Sequence, residues 1–283
     1  MNKTAVITMD VEDWYHTGYL DRDQCDHSVS ILHYVESFCD QVEDFGGRAT
    51  LFVLGELVPQ LAPRLNALAA RGHEIASHAW SHTPLMHLSH EDFEREIQDC
   101  VRVHGDYISS PLLGFRAPLF SLDAHRLESI FASGFQYDSS STARGRSSSQ
   151  IDLGDFDVLR KQIFYRDGRL EFQVGAAGYA SYFINGGGGT RILPWAMSQM
   201  MLRSFLEKNE FYNFFVHPLD LSHEPLPVPS SLSWLKRQRM MFGREKMEGR
   251  LRLILEELRA AKFQIRTFSE LRADILTKFK VPA

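Results

Sequence analysis

TAVITMDVED, residues 4–13, begins as an apolar, β-branched run and ends in three acidic side chains. Such a run is typical of a buried strand, and sites in parallel α/β proteins assemble where strands end. If the strand continues, successive side chains alternate, so Asp10 and Glu12 share one face while Asp13 points away. Two carboxylates facing one cavity repel each other unless a cation or a proton lies between them. A solvated acidic turn is the alternative for this segment taken alone.

Apolar runs alternate with amphipathic segments over most of the remaining chain. The predicted strands are 4–9, 49–54, 73–77, 114–116 and 211–216. The predicted helices are 59–71, a helix capped by Ser89, 123–132, 194–208, 244–262 and a last one with a Thr267/Glu270 capping box. Gly72 is expected to end the first helix in a left-handed conformation. This alternation of strands and helices favours a mostly parallel α/β architecture.

The middle of the chain is less regular. Residues 139–149 are rich in serine, and Gly186–Gly189 form a run of four glycines that we expect to allow a tight backbone path beside the site. Between them, residues 157–174 predict a hairpin with its turn at Asp167-Gly168. We therefore expect a single domain over residues 1–283 with an irregular insertion at about 139–190.

The composition is that of an ordinary globular protein. The 283 residues include 31 Lys+Arg and 36 Asp+Glu, for a formal net charge of −5, and 44% are hydrophobic. The mild acidity argues against a general nucleic-acid or anionic-membrane surface. Three cysteines without a CxxC motif favour a reducing compartment, and no stretch approaches the roughly 20 apolar residues of a membrane span. With no apolar run typical of a signal peptide at the N-terminus, we expect a cytoplasmic protein without membrane insertion.

Histidines are concentrated in one short segment. Five of the twelve histidines lie between His73 and His90. His78 and His82 are four residues apart, which would place both imidazoles on one face of a helical turn and suits a shared metal ion. A pair of surface or core histidines is the alternative. The HExxH motif of zinc proteases is absent because Ser77 stands where its second histidine would be.

Two further polar residues end apolar runs and are followed closely by proline, which stops a strand. Arg116 precedes Ala117-Pro118, and His217 precedes Pro218. A structural ion pair is the alternative for Arg116, and a hydrogen-bonded core histidine is the alternative for His217.

Taken in order, the four motifs resemble the polysaccharide deacetylase family, which is the NodB-homology fold of carbohydrate esterase family 4. The stretches GGGGTRILPW, FFVHPLD and FQIRTFSELRADI are similar to a bacterial subgroup associated with exopolysaccharide loci. The resemblance spans nearly the whole chain. It implies a distorted (β/α) barrel that holds one divalent metal ion, usually Zn²⁺, with Co²⁺ or Ni²⁺ as alternatives.

The resemblance also implies a set of metal ligands. His78 and His82 would bind the metal together with one carboxylate of the first motif. Many relatives have two adjacent aspartates in this motif, whereas Val11 fills the second place here. Strand alternation favours Glu12 as the third ligand, with Asp13 in reserve.

Catalytic roles follow from the same resemblance. Asp10 would be the general base, and His217 would be the general acid that protonates the departing amine. Arg116 would hydrogen-bond Asp10 and keep it charged. The backbone N–H of Leu119, which follows Pro118, would stabilise the oxyanion.

The expected function is metal-dependent hydrolysis of the N-acetyl group of an N-acetylated sugar, in polysaccharide or surface-glycan biosynthesis. The expected partner is a glycan or its lipid-linked or nucleotide-linked precursor, and not a nucleic acid; Trp80 could stack on a sugar ring. One alternative is an amidohydrolase of the same fold that opens small cyclic amides or imides. Another is a glycan-binding module without catalysis. The oligomeric state is left open.

Overall fold

A curled, mostly parallel β-sheet forms the centre of this computed structural model, which describes residues 2–142, 149–175 and 183–279. The strands are β1 Thr4–Val11, β2 Thr50–Val53, β3 Glu74–Ser77, β4 Gly114–Phe115, β5 Leu122–Asp123, β6 Tyr137–Asp138, β7 Ser149–Gln150, β8 Asp157–Arg160, β9 Ile163–Arg166, β10 Arg169–Phe172, β11 Phe211–Val216 and β12 Gln264–Ile265. The helices are α1 Tyr34–Asp44, α2 Val58–Ala70, α3 His90–Tyr107, α4 Ala124–Ala132, α5 Gly187–Thr190, α6 Trp195–Lys208, α7 Pro218–Leu221, α8 Trp234–Met241, α9 Met247–Ala260 and α10 Phe268–Phe279. Short 3₁₀ segments cover 14–16, 22–24, 55–57, 85–87, 118–120 and 244–246.

The main sheet has the strand order β11-β1-β2-β3-β4-β6-β10-β9-β8, and β12 also pairs with β1. Neighbours from β11 to β10 are parallel, and β10, β9 and β8 form antiparallel pairs. The sheet curls into a half-barrel. The predicted α/β fold of the distorted NodB-type barrel is therefore confirmed.

The register of β1 against β11 brings the first and last sequence motifs to the same level. Met9 is paired with Val216, so Asp10 and His217 follow at neighbouring positions on adjacent strands. Because both strands run in the same direction, their polar ends meet at one edge of the sheet.

The register of β3 against β4 does the same for the two central motifs. Ser77 is paired with Phe115, so His78 and Arg116 are the next residues on each strand. β2 lies between β1 and β3 and connects the two pairs of motifs through the sheet.

The two faces of β1 contribute to different apolar clusters. All eight residues of the strand are buried. Ala5, Ile7 and Met9 belong to the larger cluster, which includes buried residues of α1, α2, α6 and α9. Val6 belongs to a second cluster that includes Phe268 of α10. Since side chains alternate along a strand, Asp10 shares a face with Val6 and stands above this second cluster.

Most predicted elements are confirmed within one to three residues. Ser89 caps α3 by accepting a hydrogen bond from the Asp92 amide, and Thr267 and Glu270 exchange the bonds of a capping box. The hairpin turn has positive φ at Asp167 and at Gly168, as the Asp-Gly pair predicts.

Four helices, α1, α5, α7 and α8, have no counterpart in the predictions. Parts of the predicted insertion, residues 143–148 and 176–182, lie outside the described residues, and its described part contains β7 to β10. Among the described helices, none has the length and apolar character needed to cross a membrane.

Candidate active site

The structure brings Glu12, His78 and His82 together. One potential ligand atom from each lies within 4.8 Å of the others, and all three residues are buried. His82 Nε2 is 2.5 Å from Glu12 Oε2, yet that oxygen has no well-aligned hydrogen bond among the described residues. A buried carboxylate oxygen that faces two imidazoles and lacks a hydrogen bond fits a cation site, because Glu and His are both metal ligands.

The segment from His78 to His82 is a loop, so the expected helical turn is wrong. Ala79 and His82 both have left-handed backbone conformations, with φ of 61° and 62°. Their φ values turn the chain back on itself and bring the two imidazole centroids to 5.5 Å. Each left-handed residue with a side chain costs roughly 1–2 kcal/mol, so neighbouring contacts must stabilise the loop.

Glu96 of α3 makes these stabilising contacts. Its carboxylate accepts hydrogen bonds from the backbone N–H of Trp80 (2.8 Å), the backbone N–H of Ser81 (3.3 Å) and the Ser81 hydroxyl (2.5 Å). Both amides lie between the two left-handed residues. Glu96 therefore holds the middle of the loop that carries both histidines.

The backbone carbonyl of Arg116 orients His78. It lies 2.8 Å from His78 Nδ1, so an Nδ1–H donates to it and leaves the Nε2 lone pair free for a metal ion. Burial lowers the pKa of His78 to about 4, which outweighs the charges of Asp10 and Glu12. The ring is consequently neutral near pH 7, as metal ligation requires.

Glu12 is held as a carboxylate. Burial alone would raise its pKa, but the nearby imidazoles of His82, His217 and His78 lower the pKa well below its usual range. Three histidines surround the Glu12 carboxylate, and Glu12 as a whole residue is 95% buried. The cavity thus contains a carboxylate that stays charged, and this carboxylate lies next to the position where a divalent cation would bind.

Asp10 and Arg116 form a buried ion pair. Arg116 Nη1 donates to Asp10 Oδ1 at 2.7 Å, and the same nitrogen donates to Thr8 Oγ1 at 2.8 Å. The guanidinium also bonds Ser139, lies over the Phe52 ring at 4.1 Å and is completely buried. Removing either partner would leave a buried, uncompensated charge.

His217 is held by Asp220, three residues later in the chain. Asp220 Oδ2 accepts from the His217 backbone N–H at 3.0 Å and lies 3.2 Å from its Nδ1. The other ring nitrogen, Nε2, lies 3.9 Å from Asp10 and 3.8 Å from Glu12. Burial opposes the charged ring, but Glu12, Asp220 and Asp10 outweigh it and raise the pKa of His217 to about 9.

Asp220 was not among the sequence candidates, although a signal for it was present. The spacing in HPLD places a carboxylate three residues after His217, at the start of the short helix α7. Arg191 completes the arrangement, because its Nε lies 3.2 Å from Asp220 Oδ1. Gly187 allows this close packing, since a Cβ there would lie 2.5 Å from Asp220 Oδ2.

Asp13 is not brought into the cluster. Its carboxylate accepts hydrogen bonds from the backbone N–H groups of Trp14 at 2.8 Å and Ile31 at 3.1 Å. Asp13 therefore caps the turn after β1 and ties it to the segment before α1. Asp13 thus lies outside the group formed by Glu12, His78 and His82, and its Oδ2 has no hydrogen-bond partner among the described residues.

Trp80 also lies away from the cavity. Its ring packs against Gly55, where an added Cβ would be 2.6 Å from Trp80 Cε3.

Pro118 does not line the cavity, whereas Leu119 lines it and is 46% exposed. The φ of 53° at Leu119 turns the chain at this point.

One cavity of about 380 Å³ contains the whole polar group. Asp10, Glu12, His78, His82 and His217 line one part of it. The remaining walls are Thr17, Gly18, Tyr19, Ala117, Leu119, Phe120, Thr142, Val174, Gly175, Asn185, Gly186, Gly188, Gly189, Arg191, Phe215, Leu219, Asp220, Arg239 and Met240. The volume is in the range of small-molecule sites.

The half-barrel sheet, with carboxylates and histidines at the ends of its parallel strands, has the fold of the distorted NodB-type barrel. Residues 20–137 match the polysaccharide deacetylase family. Residues 170–267 match a second family, a domain of unknown function designated DUF3473.

One curated protein is similar to part of the chain. The peptidoglycan deacetylase-like protein FGM2 of Gibberella zeae is 24% identical over 107 residues, which are 38% of this chain and 32% of FGM2. The chain thus matches about a third of the length of this relative.

Solved structures show the fold. A crystal structure from Mycobacterium smegmatis, assigned as a polysaccharide deacetylase, has a TM-score of 0.66 and 17% identity, with coverage of 98% of this chain and 92% of its own. A family 4 carbohydrate esterase pseudoenzyme from Bacillus anthracis has a TM-score of 0.52 and 10% identity, with coverage of 96% and 66%. The same fold therefore also occurs in a pseudoenzyme.

Proposed function

We propose that this protein is a metal-dependent N-deacetylase acting on an N-acetylated sugar of a polysaccharide or surface glycan. The family supports carbohydrate deacetylation in general. The observation that carries the proposal is the convergence of Glu12, His78 and His82 in one cavity with two further polar pairs, Asp10–Arg116 and His217–Asp220.

Glu12, His78 and His82 would hold the metal ion, with zinc the first choice for two imidazoles and a carboxylate. A divalent cation bound there would polarise an amide carbonyl and lower the pKa of a bound water to around 7. Three protein ligands leave coordination positions for water and substrate, as a catalytic site needs.

Asp10 would accept a proton from the attacking water. Arg116, which donates to Asp10 Oδ1 at 2.7 Å, fixes the orientation of that carboxylate. The second oxygen, Oδ2, is the one that faces His217, so it is directed toward the part of the cavity where substrate would lie.

His217 would donate a proton to the departing amine, which leaves poorly as an anion. The raised pKa of His217, about 9, keeps the ring protonated at neutral pH, as a general acid requires. The backbone N–H of Leu119 would donate to the oxyanion that forms on the carbonyl oxygen.

Metal content is the first test. Elemental analysis of purified wild type should give about one zinc-like ion per chain, and a His78→Ala/His82→Ala double mutant should give none. The matched control is His87→Ala/His90→Ala, which removes two exposed histidines from the same region. Absence of metal from wild type after reconstitution with zinc, cobalt or nickel would refute the proposal.

Acetate release from N-acetylated oligosaccharides is the second test. Metal-loaded wild type should release acetate, and His217→Ala should keep its metal but lose most of its turnover. Metal binding and glycan binding without any acetate release would instead indicate a pseudoenzyme, as the fold permits. A cyclic amide hydrolase has weaker support, because the cavity of about 380 Å³ is not the narrow pocket that would favour it.

We place the reaction in glycan biosynthesis, inside the cell, and in the exopolysaccharide-associated subgroup of the family. The support is the similarity of GGGGTRILPW and FFVHPLD to that subgroup, and both stretches contribute to the cavity wall. Cell fractionation together with analysis of surface glycans from a deletion strain would test this context.

A further inference from the structure

Arg239 of α8 is a cavity-lining cation that is not used by the catalytic groups. Among the described residues, two arginines line the cavity, Arg191 and Arg239. Arg191 is paired with Asp220. Within the described parts of the chain, the Arg239 guanidinium has no carboxylate partner; it lies over the Tyr19 ring, 5.6 Å from its centroid.

The backbone that carries Arg239 is tied to the catalytic region. Arg191 Nη2 donates to the Arg239 carbonyl at 3.1 Å, and Arg191 Nη1 donates to the Met240 carbonyl at 2.8 Å. The same guanidinium binds Asp220, which holds His217. Through this one arginine, the end of α8 is fixed relative to the proposed general acid.

The charges in the cavity are unequally compensated. Asp10 is paired with Arg116, Asp220 with Arg191, and Glu12 is surrounded by histidines. Arg239 alone among these described charges has only an aromatic ring beside it. An unpaired guanidinium at a water-accessible wall presents a fork of donors that matches carboxylate and phosphate.

We propose that Arg239 and Tyr19 form a subsite for an acidic group of the glycan, next to the sugar whose N-acetyl group is removed. The inference rests on the proposed function and names its substrate class, an anionic glycan. The acidic group is either the carboxylate of a neighbouring uronate or the phosphate of a carrier-linked precursor. The Tyr19 ring supplies a face on which the adjacent sugar or the guanidinium packs.

Binding of three defined ligands to the metal-loaded protein tests the subsite. The ligands are neutral N,N′-diacetylchitobiose, a disaccharide of N-acetylglucosamine and glucuronate, and N-acetylglucosamine 1-phosphate. Calorimetry would measure Kd for wild type, Arg239→Gln and Lys236→Gln. Lys236 is the matched control because it is an exposed cation on the same helix and does not line the cavity.

Wild type should bind at least one acidic ligand about tenfold more tightly than the neutral one, and Arg239→Gln should remove that preference. Binding of the neutral disaccharide should stay the same, and Lys236→Gln should resemble wild type. The preference should also weaken at high salt. A loss confined to the uronate ligand assigns the subsite to a neighbouring sugar, and a loss confined to the phosphate assigns it to a carrier.

Equal affinities of wild type for acidic and neutral ligands, or an unchanged preference in Arg239→Gln, would overturn the subsite. Failure of the proposed function is distinguishable, because it is measured as acetate release from the neutral disaccharide, which does not depend on Arg239. A protein that releases no acetate but binds acidic ligands through Arg239 would retain the subsite and lose the deacetylase assignment.

Discussion

Replacing Glu96 with alanine should weaken metal binding although Glu96 cannot reach the metal site itself. Its carboxylate holds the backbone of Trp80 and Ser81, between the two proposed histidine ligands. Without these bonds, the loop loses the contacts that keep Ala79 and His82 in left-handed conformations. The two imidazoles would then no longer be held in position before the metal binds.

The magnitude follows from the bonds that are lost. Two backbone N–H groups lose their acceptor, each at a cost of about 1–3 kcal/mol when buried. Both residues are only half-buried, so water can replace part of the interaction, and a total near 2–3 kcal/mol of unfolding free energy is expected. The left-handed residues cost about 1–2 kcal/mol each, so a loss of this size is enough to let the loop relax.

Metal affinity should fall by about 10- to 100-fold, the usual effect of removing a group that orients metal ligands. Competition titration with a chromogenic chelator would measure the affinity, and urea unfolding of the metal-free protein would measure stability. The matched control is Glu94→Ala, which removes a partly exposed carboxylate from the same helix without touching the loop. Glu96→Gln, which keeps one acceptor oxygen, should lie between wild type and Glu96→Ala.

A specific result would refute this reasoning. If Glu96→Ala loses the expected unfolding free energy but binds zinc with wild-type affinity, the loop geometry does not depend on Glu96. The left-handed residues would then be stabilised by their other neighbours.

Three further predictions concern the groups around the proposed acid and a buried carboxyl pair. Asp220→Asn removes a charge that raises the pKa of His217, so the alkaline limit of kcat/KM should move to lower pH while metal content is unchanged. Gly187→Ala places a Cβ 2.5 Å from Asp220 Oδ2 and should lower kcat more than Gly188→Ala, whose Cβ meets open space. Burial and the neighbouring Asp138 raise the pKa of Glu171 well above 4.5, so its stability contribution is present below about pH 4.5 and is lost as pH rises. In urea unfolding, wild type should therefore lose stability relative to Glu171→Gln as the pH rises above about 4.5.

The convergence of the motifs could be predicted because it depends on two simple rules. Parallel strands bring their carboxyl ends to one edge, and side chains alternate along each strand. Those rules place Asp10 and Glu12 in one cavity and direct Asp13 elsewhere, as the structure has them. They need only the strand positions, which the apolar runs indicate.

The shape of the histidine loop could not be predicted from the spacing of its residues. A four-residue spacing fits a helical turn, but Glu96 in the following helix stabilises a different backbone path. The path depends on the hydrogen bonds from Ser81 and Trp80 to Glu96, which lies 15 and 16 residues later in the chain. The spacing of residues within the loop does not indicate such contacts.

The two proposed proton-transfer groups differ in how their partners reach them. Asp10 depends on Arg116, 106 residues away, so its orientation requires assembly of four neighbouring strands. His217 depends on Asp220 within one turn of chain, and this pair is positioned further by Arg191 and by the close approach of Gly187. Arg116, the partner of the base, therefore belongs to the first matched segment, residues 20–137, and the environment of the acid is built within the second. Changes in residues 170–267 can thus tune the proton donor and the anionic subsite without moving the metal ligands or the base.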